Sequence, residues 1–127
     1  MNILIDTSVL VAAEHGDAMQ VPSSGHYCVS VITLAELHVG VLGARTDAIR
    51  GQRLETLVRA EQHLAPLEVD GLIARRFAKL VTTCRARGES PQVFDALIAA
   101  TALVHDLPLL TRDRGFEVFD GLDLRLV

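Results

Sequence analysis

The sequence predicts an α/β fold: a parallel sheet with helices on both faces. Two observations predict it. Short apolar runs of strand character alternate with longer helical stretches along the whole chain, and helix-start and helix-stop residues punctuate the joints between them. The strand candidates are "NILI" (2–5), "YCVS" (27–30), "PLEV" (66–69), "LPLLT" (107–111) and "LDLRLV" (122–127). At 127 residues the chain is expected to form one domain, 1–127, long enough to bury a substantial core.

Each element has a local reason. The first strand runs into "DTS", where Thr7 or Ser8 can cap a short helix ending near Glu14. "GDAMQVPSSGH" (16–26) is loop chemistry, and Ser30 caps the apolar helix "VITLAELHVGVLGA". Residues 45–65 are amphipathic, with Ile49, Leu54, Leu57, Val58 and Leu64 on one stripe. Asp70 caps a helix that runs through Arg87 and stops at Gly88. Ser90 as N-cap and Pro91 at the first helical position start the helix "SPQVFDALIAATALVHD". In a parallel sheet of this kind the ligand site lies beyond the carboxyl ends of the strands. Asp6 and Asp113 follow the first and fourth strands at that end.

Composition narrows the class. Half the residues are hydrophobic, yet the longest apolar candidate, "ALIAATALV" (96–104), is about half the ~20 residues of a membrane span. No basic region followed by an apolar stretch and a cleavage site opens the sequence, so a cytoplasmic protein without a membrane partner is expected. Cys28 and Cys84 are too few and too far apart for a disulfide scaffold and read as reduced thiols. The net charge of −4 argues against a surface that binds nucleic acid everywhere, but not against a local basic rim. All basic residues except Lys79 are arginine, the better fork for phosphate.

The informative feature is a set of lone acids. Asp6 is the single charge in residues 1–13, Glu36 in 18–44 and Asp95 in 90–105, all otherwise uncharged stretches. Nearly all-apolar helices are buried helices, so Glu36 and Asp95 should lie at least partly inside. Each acid also has a purely structural reading. Asp6 can join Thr7 and Ser8 in capping, Glu36 can form a capping box with Thr33, Asp95 can complement the helix dipole, and Asp113 can start a turn. If the four converge, mutual repulsion raises some of their pKa values, and a hard divalent ion, Mg²⁺ or Mn²⁺, removes the conflict. The chemistry implied is phosphodiester hydrolysis by metal-activated water.

Taken in order, "LIDTSVL", "LAEL", "FDALIAATAL" and "LLTRDRGF" resemble the PIN-domain ribonucleases, and the short length resembles the VapC-type toxins of type II toxin–antitoxin pairs. The resemblance covers essentially the whole chain. It implies a three-layer sandwich with strand order 3-2-1-4-5, and an endoribonuclease that uses Mg²⁺ or Mn²⁺. It also implies an RNA substrate, a homodimer and a cognate antitoxin that covers the site. Asp6, Glu36, Asp95 and Asp113 match the family's acidic quartet, with Asp6, Asp95 and Asp113 at the metal. Glu36 and Asp113 would complete the shell through water or position the attacking water. Thr7 and Ser8 match the polar pair after the first acid, and Thr111 the threonine before the last. Ser8 and Thr111 can hold a phosphate oxygen or orient a carboxylate, and Arg112 is a candidate clamp on the transition state. Many relatives carry a further acid where this chain has Gly115, which points to one tight ion rather than two. The expected products carry a 5′-phosphate and a 3′-hydroxyl. A housekeeping PIN nuclease in RNA maturation and a non-catalytic RNA- or protein-binding PIN domain are the rival readings.

Other motifs fail. "DTS" lacks the second acid of aspartyl-phosphate enzymes, no Walker-type glycine loop is present, and the five histidines show no zinc-ligand spacing.

Overall fold

In the computed structural model, which describes residues 2–127, β1 (Asn2–Ile5) leads into α1 (Thr7–Glu14), and β2 (His26–Ser30) into α2 (Val31–Leu42) and α3 (Asp47–His63). Next come β3 (Ala65–Leu67), α4 (Gly71–Ala86), α5 (Val93–Val104) and β4 (Leu109–Thr111). A short 3-10 turn (Arg114–Val118) and β5 (Leu124–Leu126) close the chain. The strands form one sheet in the order β3-β2-β1-β4-β5, and all four pairings are parallel. Both the α/β class and the expected strand order are therefore observed.

β1 and β4 lie side by side at the sheet centre, with Leu4 opposite Leu109 and Ile5 opposite Leu110. That register brings the residues after β1 next to those after β4. Side chains alternate across the sheet, as pleated strands require. Leu4 and Leu109 enter a core with Ile73, Ile98 and Phe116, whereas Ile3, Ile5 and Leu110 enter one with Val9 and Val29. α5 crosses back over the first core on a face of small residues, Ala96, Ala99, Ala100 and Ala102, all buried. Because α5 leads into β4, its first turn lies at the carboxyl edge of the sheet.

Local signals place most boundaries. Ser30 caps α2 through Ile32 N–H, and Asp70 caps α4 through Ile73 N–H. Gly88 ends the α4 segment with a φ of +77°, a conformation glycine adopts without strain. Four expectations need correction. The first helix is capped by Asp6, whose side chain accepts from Ser8 N–H, rather than by Thr7 or Ser8. α5 begins at Val93 with Gln92 as N-cap, not at Ser90 and Pro91, so the serine–proline pair precedes the helix instead of opening it. Thr33 lies inside α2 and is buried, and the cap is Ser30, so Glu36 belongs to no capping box with Thr33. The proposed stripe on α3 is half open: Leu57 is buried, but Ile49, Leu54 and Val58 are exposed. α3 packs through Leu57 and Ala60 against Leu37 of α2, which reaches only one side of the stripe. α2 is likewise apolar without being wholly buried, since Val39 is 68% and Leu42 81% exposed. The β-strands are shorter at β4 and β5 than the apolar runs that carry them.

The alanine face of α5 leaves no room for a longer side chain. Ala99→Leu is expected to lower stability by roughly 1–3 kcal/mol through overpacking, read as a lower midpoint in urea unfolding.

Candidate active site

Asp6 follows β1 directly and is only 4% exposed. An ionised carboxylate at that depth needs strong partners, and it has three on one oxygen. Oδ2 accepts from Ser8 Oγ at 2.6 Å, Thr111 Oγ1 at 2.8 Å and Ser8 N–H at 3.3 Å. The two hydroxyls lie 3.2 Å apart and are themselves held. Arg112 N–H donates to Ser8 Oγ at 3.0 Å, and Asp113 N–H to Thr111 Oγ1 at 2.9 Å. Among the described residues nothing bonds Oδ1, which leaves that oxygen for a cation. Asp6 thus caps α1 and is oriented by both strand ends at once. Ser8 and the buried Thr111 direct their protons at this carboxylate, the carboxylate-orienting role of the two roles open to them.

Glu36, in the second turn of α2, is half-buried, and its Oε1 accepts from Thr7 Oγ1 at 2.7 Å. Burial raises its pKa above the usual carboxylate range and the charge of Asp6 adds to this, while the Thr7 hydrogen bond opposes it. Asp95 in the first turn of α5 is pushed up to about 6, first by burial and then by the charges of Asp6, Asp113 and Glu36. Gln92, with its amide nitrogen turned to the acid as the hydrogen-bond network requires, donates to Asp95 Oδ1 at 3.0 Å and Oδ2 at 3.2 Å. This bond partly offsets the repulsion. Asp113 is exposed; its Oδ1 accepts from Gly115 N–H at 2.8 Å and caps the 3-10 turn, so its turn-starting role is real.

All four acids line one cleft of about 450 Å³, together with Thr7, Ser8 and Arg112. Every residue expected at the site is therefore there except Thr111, which stands behind Asp6. Gln92, His15 and Asp17 also line it and were missed. The spacing of three between Gln92 and Asp95 on a helix was the available signal for the first. His15 and Asp17 lie in the loop after α1, where the sequence carries no periodicity. Arg112 is exposed, and its Nη1 reaches the Ala18 carbonyl at 3.4 Å. Among the described residues no three acids, histidines or cysteines are already gathered tightly enough to ligate one ion; the acids line the cleft walls. The donor set nevertheless fits a hard divalent cation. It is all oxygen, Asp6 Oδ1 is unbonded, and Asp95 feels three like charges with no cation among the groups that shift it.

The PIN domain family matches residues 3–122. The chain belongs to the PIN-domain family. Within it, this PIN domain is 40% identical over 121 residues to Ribonuclease VapC5 of Mycobacterium tuberculosis, covering 93% of this chain and 87% of that one. It is 34% identical over 122 residues to Ribonuclease VapC4 of the same organism, covering 95% and 93%. Among solved structures it is similar to a member of the VapBC family of toxin–antitoxin systems, VapBC-5 of M. tuberculosis. That likeness has a TM-score of 0.81 and 34% identity, and covers 99% of this chain and 97% of that one. VapBC2 of Rickettsia felis, solved with a DNA fragment from its promoter, shares the fold at a TM-score of 0.84 and 21% identity, covering 100% and 99%. The PIN assignment agrees with the observed strand order.

The raised Asp95 has a consequence for chelator-treated protein. A carboxylate whose folded pKa exceeds its unfolded value destabilises the fold at high pH, and that cost is relieved as pH falls from about 6 toward its unfolded value. Asp95→Asn should therefore stabilise the chelated protein at pH 8, by on the order of 1 kcal/mol once solvent screening is allowed for. The gain should vanish by pH 4, as thermal melting at the two pH values would read.

Proposed function

We propose that this PIN domain is a Mg²⁺- or Mn²⁺-dependent endoribonuclease acting as the toxin of a toxin–antitoxin pair. The observation that carries the metal-dependent reading is the convergence of Asp6, Glu36, Asp95 and Asp113 on one cleft in which burial and then the charges of the other three raise the pKa of Asp95. Its relatives named as ribonucleases support RNA as the substrate, and the relative from a VapBC system supports an antitoxin partner.

Asp6, through its unbonded Oδ1, and Asp95 would hold the ion, with Asp113 beside them. A divalent ion bound there supplies charge for a phosphoryl oxygen and lowers the pKa of water. Glu36, fixed through Oε1 by Thr7, keeps Oε2 to take a proton from the attacking water, and its raised pKa suits a group that accepts one. Ser8 and Thr111 keep Asp6 in register, and Gln92 keeps Asp95. Arg112, at the rim, is the cation placed to neutralise phosphate charge as it develops. Attack in line at phosphorus leaves a 5′-phosphate and a 3′-hydroxyl. The exposed Val39 and Leu42 of α2 and Leu54 of α3 are apolar surface that a second copy or the antitoxin would cover.

Purified protein should cut a mixed, structured RNA pool with Mg²⁺ or Mn²⁺ and stop on chelation. Asp6→Asn and Asp95→Asn should each lose at least about a hundredfold in kcat/KM. Cleavage by folded Asp95→Asn at the wild-type rate would overturn the assignment. Thr111→Val keeps volume but removes the hydroxyl on Asp6, and should weaken Mn²⁺ binding about tenfold, measured by calorimetry.

A further inference from the structure

A second cavity of about 230 Å³ lies between α1, α2 and α3, bounded by residues that include Glu14, Gly40 and Arg53. It shares Thr7, Val11, His15 and Glu36 with the acidic cleft, so the two adjoin along those residues. Arg53 is its fixed cation. Nη1 donates to the Gly40 carbonyl at 2.8 Å, which anchors the guanidinium and leaves Nε and Nη2 with protons to donate.

The neighbouring arginines of α3 are neutralised: Arg50 pairs with Asp47 and Arg59 with Glu55. Arg53 has no acid three or four residues away on either side. Among the described residues no carboxylate forms an ion pair with it. Glu14 in the same cavity already accepts from Thr56 Oγ1 at 2.8 Å and faces His15 at 3.7 Å. Glu36 is shifted by burial, Thr7 and Asp6, with Arg53 absent from the groups that act on it. A half-buried guanidinium with open donors, in a cavity that adjoins a phosphate-cleaving cleft, fits an anion that arrives with the substrate.

We propose that Arg53 forms a subsite for a backbone phosphate of the RNA strand, flanking the scissile phosphate on the Glu36 side. With Arg112 lining the acidic cleft, the strand then meets an arginine on each side of the acids. The subsite rests on the ribonuclease reading, and its role is grip rather than chemistry.

The test is fluorescence anisotropy of a fluorescein-labelled, mixed-sequence 20-nucleotide single-stranded RNA. It uses the full chain with Ca²⁺, across a salt series. Arg53→Gln, which keeps an amide able to reach Gly40, should raise Kd about tenfold and reduce the slope of log Kd against log salt by roughly 0.7. Arg53→Lys, which keeps the charge, should restore most of the slope. Arg59→Gln, on the same helix but outside both cavities, should leave both unchanged. In RNA cleavage, Arg53→Gln should raise KM with kcat within about twofold. Wild-type affinity and slope in Arg53→Gln, alongside normal wild-type binding, would overturn the subsite and leave the nuclease standing. Equal losses in Arg53→Gln and Arg59→Gln would reduce the effect to general surface charge and also overturn it. A wild-type protein that neither binds nor cuts RNA would overturn both readings.

Discussion

The site depends on one carboxylate oxygen. Asp6 Oδ2 gathers three donors from two chain segments more than a hundred residues apart, and each donor hydroxyl is in turn fixed by a backbone N–H after β4. This cluster is possible because β1 and β4 are neighbours in a parallel sheet, so both chains leave the sheet at the same edge. It also resolves the tension of an acid inside an apolar opening. Charge-assisted hydrogen bonds hold one oxygen of the buried group in place, and the other faces the cleft.

Around that fixed point the remaining acids are held more loosely, each by a neutral or backbone donor: Glu36 by Thr7, Asp95 by Gln92 and Asp113 by Gly115 N–H. Such donors set orientation without cancelling charge. Had lysine or arginine stood in their place, ion pairing would have balanced the charge of the cleft internally. The basic side chains are kept to its margins, where Arg112 and Arg53 line adjoining cavities. A chain with net charge −4 can therefore still present local positive potential to an anionic strand.

The helices divide the labour. α5, with its alanine face, packs closely on the sheet and gives Asp95 a rigid base. α2 and α3 pack mainly on each other through Leu37, Leu57 and Ala60, and leave apolar side chains in solvent. Among the described residues no helix is long and apolar enough to cross a membrane.

The sequence by itself determined the α/β class, the approximate place of each strand and the identity of the acids. Those rest on local chemistry: apolar alternation, cap residues, and the oddity of single charges in uncharged stretches. Together with a family resemblance, it also determined the strand order. The tertiary structure decided how the polar atoms are used. Asp6 rather than Thr7 or Ser8 caps α1, with Thr111 from the end of β4 bonded to the same carboxylate oxygen. Gln92 rather than Ser90 stands at the head of α5, and so meets Asp95. Thr7, Ser8 and Thr111 divide between two carboxylates according to strand register. Half of the apolar stripe on α3 stays open because only one side of that helix has a neighbour. The Gln92–Asp95 pair is local, three residues apart, but Thr7 and Thr111 find partners across 26 to 105 residues of sequence. Hydrogen bonds over such separations are set by which strands are adjacent and how the helices pack, not by the residues on either side.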